Sequence, residues 1–197
     1  MSSENEWLKK IFRLLDDNKK YPKYQFERRA DIYVNLFLPE VLKSEFNEEF
    51  DLIIPEFPLK YAEKTDHCSN MDYLAISKSA KLAVLIELKT DSNSLKLDQI
   101  DNYHSALTTE NWFSNTIGRL RKCAAKNDEY TDSYNYLLSK FVVGDKTLSP
   151  EKLEVMYIAP DHVKTTIIEN KYMFISFDTL WQTIKTTLID GKHKPPP

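Results

Sequence analysis

The N-terminal part of the chain has the apolar spacing of amphipathic helices. Residues 4–46 predict two helices separated near Pro22, because proline interrupts helical hydrogen bonding. In the second helix, apolar side chains recur every three or four residues and would form one buried face: Phe26, Ala30, Tyr33, Phe37 and Val41. Pro39 lies inside this pattern and is expected to kink or end the helix.

The middle of the chain has the composition and the alternation of strands. Residues 52–60 are rich in apolar side chains, but Pro55 and Pro58 favour an edge or bulged strand over a central one. Residues 71–77 and 81–90 are rich in β-formers and predict an antiparallel hairpin. Both faces of the second segment are largely apolar, so this strand should be covered on both sides.

The C-terminal half returns to helices and then closes with strands. Helical spacing recurs at residues 94–107, 111–126 and 132–141, and residues 153–160 predict a strand that ends at a proline. A last short strand runs into a final helix, with Asp178 placed to cap its N-terminus. This order predicts an α/β sandwich with a mixed sheet, in one domain over residues 1–190 followed by a Pro-rich tail, residues 191–197.

Composition narrows the function classes. No apolar run approaches the about 18 residues of a membrane span and the N-terminus has no signal-peptide core, so a cytoplasmic protein without membrane contact is expected. Because the chain has only 3 glycines, a glycine loop that cradles phosphate is excluded, and with it the usual nucleotide-dependent enzymes. The formal net charge of −3 means that nucleic-acid binding would depend on local basic patches.

Three charged residues of the hairpin are candidates for chemistry. An even-numbered loop would place Asp72 directly opposite Glu87, and two facing carboxylates normally hold a cation or share a proton. Carboxylate and carbonyl oxygens suit Mg²⁺. Lys89, two residues further on the same face, could orient or deprotonate an attacking water and neutralise charge on a phosphate. The alternative explanation is a strand-end salt bridge in solvent.

The pattern of Asp72, fourteen intervening residues and then Glu87-Leu88-Lys89 resembles the PD-(D/E)xK nuclease superfamily, which includes many restriction endonucleases. The resemblance extends from about residue 27 to residue 188, although Met71 stands where the family has proline. It implies a restriction-endonuclease-like sandwich, a mixed central β-sheet flanked by helices. It also implies that Asp72 and Glu87, with the carbonyl of Leu88, hold Mg²⁺, for which Mn²⁺ can substitute. Lys89 would then be catalytic.

The resemblance suggests further site residues on the helices. Glu27 is the candidate for a first-helix glutamate that supports metal binding, with Glu40 as the weaker choice. Gln99 and Tyr103 match a glutamine and tyrosine that recur on the helix after the ExK strand in this family; there they would position the nucleic acid or the lysine. Lys96 shares their predicted helix face.

A basic stripe is the candidate for nucleic-acid contact outside the hairpin. Arg119, Lys122 and Lys126 are spaced to lie on one side of a predicted helix and could follow a phosphate backbone, although plain solvent exposure also accounts for them.

The combined expectation is a Mg²⁺-dependent deoxyribonuclease, with DNA favoured over RNA and a homodimer left open, because relatives that cut both strands often act as dimers. The alternatives are a catalytically inactive protein of this fold that binds nucleic acid or a partner protein, and a scaffold in which Asp72 and Glu87 point to opposite faces.

Overall fold

A mixed five-stranded sheet lies at the centre of the computed structural model, which describes residues 26–59, 69–89, 107–108, 110–126, 129–169 and 171–189. In chain order the elements are α1 (Phe26–Phe46), β1 (Phe50–Leu59), β2 (Ser69–Ser77), β3 (Leu82–Leu88), α2 (Trp112–Ala124), α3 (Thr131–Ser139), β4 (Val142–Val143), β5 (Lys146–Thr147), β6 (Lys152–Ala159), α4 (Lys164–Glu169), β7 (Met173–Ser176) and α5 (Phe177–Ile189). The sheet order is β1-β2-β3-β6-β7, antiparallel from β1 to β3 and parallel from β3 to β7. The predicted α/β fold with a mixed sheet flanked by helices is confirmed.

Two apolar layers cover the sheet, one on each face. On one face, Ala83 and Leu85 of β3 pack in a cluster with α2 side chains such as Ile117. On the other, Val84 and Ile86 pack with side chains from α1 and α5. We call these the α2 face and the α1 face. All seven residues of β3 are buried, which confirms the prediction of a strand covered on both sides.

The edge of the sheet is irregular, as the prolines predict. β1 is an edge strand that pairs antiparallel with β2, and its register shifts between Phe50 and Leu52. Glu56 has a φ of 49°, which breaks the regular alternation of the strand. Pro55 and Pro58 lie in this strand, where a missing amide hydrogen does not interrupt a central ladder.

Several predicted elements differ from the structure or lie outside it. Pro39 does not end α1, which continues to Phe46. The β4–β5 hairpin and the six-residue α4 were not predicted, since elements this short carry too few residues to show a period. The helix expected before Pro22, most of the one expected over residues 94–107, and the C-terminal tail lie outside the described residues. Within the part of the chain that is described, no helix has the length and apolar character needed to cross a membrane.

The predicted cap of the last helix is wrong by two residues. Ser176, not Asp178, precedes the first helical residue, and its Oγ accepts a hydrogen bond from the Thr179 amide at 3.0 Å. This is the contact expected from an N-cap to the third residue of a helix. Asp178 is exposed in the first turn, where its charge lies near the positive end of the helix dipole.

We therefore expect Ser176→Ala to lower the free energy of unfolding by about 1 kcal/mol, because it leaves a helix amide without its acceptor. Asp178→Ala is the matched control and should cost about half as much. Urea denaturation of the two variants measures both values. A larger loss for the Asp178 variant would contradict the assignment of the cap.

Candidate functional site

The register of the central hairpin sets the positions of the candidate residues. The β2–β3 ladder pairs Tyr73 with Ile86 and, at its other end, Ile76 with Ala83. Residues 78–81 form the turn, and the Ser77 hydroxyl closes it by accepting a hydrogen bond from the Leu82 amide at 3.2 Å. The loop is therefore even-numbered, the parity that places Asp72 and Glu87 at the same level, one residue beyond the Tyr73–Ile86 pair at which the ladder ends. The predicted antiparallel hairpin is confirmed.

The Asp72 carboxylate lies against the main chain of β3. Its Oδ2 accepts a hydrogen bond from the Leu88 amide at 2.6 Å, two residues beyond Ile86 of the last ladder pair. The Lys89 amide donates to the Ile158 carbonyl of β6 at 2.9 Å. The N–H and C=O of one strand residue point to the same side, and those of the next residue point to the other side, so the amide and carbonyl of Leu88 both face the β2 side. The Asp72 carboxylate and the Leu88 carbonyl are thus on the same side of β3.

Glu87 and Lys89 form a buried ion pair. Lys89 Nζ donates to Glu87 Oε1 at 2.6 Å, and the two side chains are only 8% and 4% exposed for Lys89 and Glu87 respectively. The neighbouring strand β6 carries a pair of the same spacing and length, Lys152 with Glu154 at 2.7 Å, whose side chains are 69% and 27% exposed. The strand-end salt bridge in solvent therefore describes the β6 pair and not the β3 pair.

Tyr157 lies beside this ion pair and was missed by the sequence analysis. The parallel β3–β6 ladder sets Tyr157 next to Glu87, and the tyrosine belongs to the core cluster on the α2 face. Burial raises the pKa of the Tyr157 hydroxyl far above its usual range, and the charge of Glu87 and the neighbouring Tyr172 raise this pKa further. Within the sequence, Tyr157 is one more side chain of an apolar strand. Only the register between two strands distant in the chain reveals it.

The donors that could hold a divalent cation are oxygen atoms. Asp72, Glu87 and the Leu88 carbonyl offer the hard ligands that Mg²⁺ prefers. Among the residues that the structure describes, no three His, Cys, Asp or Glu side chains gather into a metal-binding group. The hairpin site therefore fits a divalent cation by the chemistry of its oxygen donors, of which two are side-chain carboxylates.

The predicted supporting glutamates are on α1. Glu27 falls in the first turn of this helix, and its side chain lies outside what the structure describes. Glu40 lines an open cleft with Gln182 of α5, and these two helices cover the α1 face. The structure thus does not bring Glu40 to the Glu87–Lys89 pair.

The predicted nucleic-acid residues are only partly described. Lys96, Gln99 and Tyr103 lie outside the described residues. On α2, which covers the same sheet face as the ion pair, Arg119 is half-buried and Lys122 is exposed. Lys126 is exposed just past the end of this helix at Ala124, so the predicted stripe is interrupted at its last member.

No family model matches this chain, and a search of curated proteins finds no match.

The burial of the Glu87–Lys89 pair can be tested by comparing how much stability is lost when each of the two lysine–glutamate pairs is broken. Lys89→Met leaves a buried carboxylate without its counter-charge, so we expect the free energy of unfolding to fall by about 3 kcal/mol. Lys152→Met removes the same interaction from the exposed β6 pair and should cost less than about 1 kcal/mol. Urea denaturation distinguishes the two; equal losses would show that the β3 pair is solvated.

Proposed function

We propose that the chain is a Mg²⁺-dependent nuclease of the PD-(D/E)xK type, with a restriction-endonuclease-like sandwich, that hydrolyses phosphodiester bonds in DNA. The observation that carries the proposal is the buried Glu87–Lys89 ion pair at the end of the central hairpin, with the Asp72 carboxylate against the intervening Leu88. These are the three charged positions of the motif, and the hairpin register supports their proximity.

A purely structural role explains the pair poorly. Desolvating two charges costs several kcal/mol for each ion, and well-packed apolar residues of similar volume are often as stable or more stable at such positions. Every neighbour of Glu87 along β3 is apolar and buried, so apolar side chains would suit this strand. A functional role for the charges accounts for their presence at the least solvated strand of the sheet.

The proposed chemistry divides between the carboxylates and the lysine. Asp72, Glu87 and the Leu88 carbonyl would hold Mg²⁺, with Glu27 in support, and the bound ion supplies Lewis-acid stabilisation of phosphate charge. Lys89 would turn its Nζ from Glu87 towards the scissile phosphate, where it orients the attacking water and neutralises developing charge. Gln99 and Tyr103 are proposed to position the nucleic acid or the lysine.

Nucleic-acid contact is proposed for the basic side chains near this face. Lys122 and Lys126 are exposed, and α2 packs on the face that holds the ion pair. Lysines that neutralise phosphates give affinity without sequence preference. Arg119 and Lys96 complete the proposed contact set.

A second candidate function is a non-catalytic protein of the same fold that binds nucleic acid or a partner protein. The observation that favours it is that both carboxylates already have protein partners, Asp72 in the Leu88 amide and Glu87 in Lys89. A site completed by its own main chain and lysine needs no cation to be stable.

Replacement of the whole buried pair separates catalysis from folding. The double variant Glu87→Leu with Lys89→Met removes both charges together, so it should unfold at a urea concentration close to that of the wild type. We expect it to lose cleavage by about a hundred-fold to ten-thousand-fold, the range for loss of a general acid or base. The measurement is the release of fragments from labelled single- and double-stranded DNA and from RNA, with Mg²⁺ or Mn²⁺.

The matched control for this experiment is Lys152→Met with Glu154→Leu, which replaces the exposed pair on the adjacent strand and should cleave as the wild type does. A buried-pair variant that cleaves at the wild-type rate would refute the assignment.

Cation binding distinguishes the two candidate functions without a substrate. If the carboxylates hold a divalent ion in the folded state, Mn²⁺ at about a hundred times its dissociation constant should stabilise the chain by about 2.7 kcal/mol, a rise in Tm of about 5–10 °C. Asp72→Asn should abolish the rise, whereas Asp132→Asn, exposed on α3, should not. Differential scanning fluorimetry with and without EDTA measures this. A wild-type Tm that does not change when Mn²⁺ is added would favour the non-catalytic protein.

A further inference from the structure

We infer that Tyr157 is a positioning residue for the Glu87–Lys89 pair, with Tyr172 as the residue that positions Tyr157 in turn. The candidate site then extends from the hairpin across β6 to the start of β7. The catalytic meaning of this inference rests on the proposed nuclease function, but the arrangement itself is independent of any substrate.

Tyr157 lies beside Glu87 in the sheet. The two are directly paired in the parallel β3–β6 ladder, and neighbouring side chains of paired residues project from the same face of a sheet. Tyr157 is 1% exposed and Glu87 is 3% exposed, so water does not separate them from the core. The phenol and the carboxylate therefore share one dry environment on the α2 face.

The ring of Tyr172 packs against the ring of Tyr157. The two rings have centroids 5.7 Å apart with planes at 39°, and Tyr172 is also buried. Its amide donates to the Ile167 carbonyl at 3.3 Å, which ties it to α4 just before β7 begins. Lys89, Glu87, Tyr157 and Tyr172 thus form a buried polar row across neighbouring strands in an otherwise apolar layer.

The Tyr157 phenol keeps its proton at neutral pH, because even a solvated tyrosine has a pKa of about 10. It therefore remains a hydrogen-bond donor. A carboxylate accepts several hydrogen bonds, and Lys89 provides one of them at Oε1. A protonated phenol is the neutral donor that suits the same carboxylate.

The consequence is a constraint on where Glu87 can point. Lys89 donates to Oε1, and the Tyr157 side chain on the same face of the neighbouring strand limits the rotamers open to the carboxylate, so that Lys89 keeps its partner. Residues that orient ligands and catalytic groups act in this way without touching the substrate themselves.

The test measures how tightly Lys89 is held, in the full chain without metal or nucleic acid. Trace acylation followed by mass spectrometry gives the rate of modification of Lys89 relative to that of the exposed Lys152. Tyr157→Phe removes only the hydroxyl, and we expect it to raise this relative rate about ten-fold, the order implied by loss of a hydrogen bond to a charged group. Tyr73→Phe is the control, a buried tyrosine of β2 that packs on the α1 face, and should change the rate less than two-fold.

An unchanged Lys89 rate in Tyr157→Phe, or an equal rise in Tyr73→Phe, would overturn the inference, since the first shows no link and the second only general loosening. If Tyr157→Phe does not fold, Tyr172→Phe takes its place with an expected rise of about three-fold, and no rise there overturns the inference as well.

A parallel cleavage assay keeps this result separate from the proposed function. In a cleaving wild type, Tyr157→Phe should lower kcat about ten-fold and leave KM unchanged, as expected for a group that acts through another residue. A wild type that cleaves no nucleic acid would contradict the nuclease proposal alone, because the acylation rates need no activity.

Discussion

The need to balance two charges inside the driest strand of the sheet governs the arrangement of this protein. β3 is buried along its whole length, and Glu87 and the following Lys89 are buried with it. An isolated charge there would cost several kcal/mol, a large part of the stability of a domain. The direct pair between the two side chains is therefore a major condition of stability, and the neighbouring strands have to be compatible with it.

Irregularity of the sheet at one level accommodates the third charge. Glu56, with its positive φ, lies between the β1 residues that pair with Tyr73 and Met71, so it is level with Asp72. Ile54 and Phe57 are three residues apart and yet belong to the same core cluster, which a regular strand does not allow. The β2–β3 ladder ends at this level too, and the Asp72 side chain meets the Leu88 amide there. The strands thus lose regularity where the charged groups gather.

Local patterns predicted what depends on local physics. Alternation predicted the antiparallel hairpin and left two arrangements, which the parity of the loop decides, because side chains of period two leave only two choices. Prolines 55 and 58 predicted the edge strand, because proline has no amide hydrogen to donate to a central ladder. The burial of Lys89 was not predictable, since it depends on which helix covers the α2 face. Tyr157 required the register between strands that are joined by residues 89–151, and chain alternation carries no information on that pairing. The sequence predicted Asp178 instead of Ser176 as the cap, because the helix begins at Phe177, two residues before the expected start.

A comparison of the lysine–glutamate pairs on the two adjacent strands shows that burial, and not spacing, makes the hairpin pair sensitive to a further charge. Both have an i, i+2 spacing and nearly equal lengths, so the covalent framework and the direct contact are matched. Around the β6 pair, water and salt screen any further charge within about 10 Å. Around the β3 pair such screening is weak, and a third charge interacts several times more strongly. A cation near Glu87 would therefore compete directly with Lys89 for the carboxylate, and binding at Asp72 and Glu87 would be coupled to the freedom of the lysine. The exposed pair has no such coupling, because solvent replaces each lost contact.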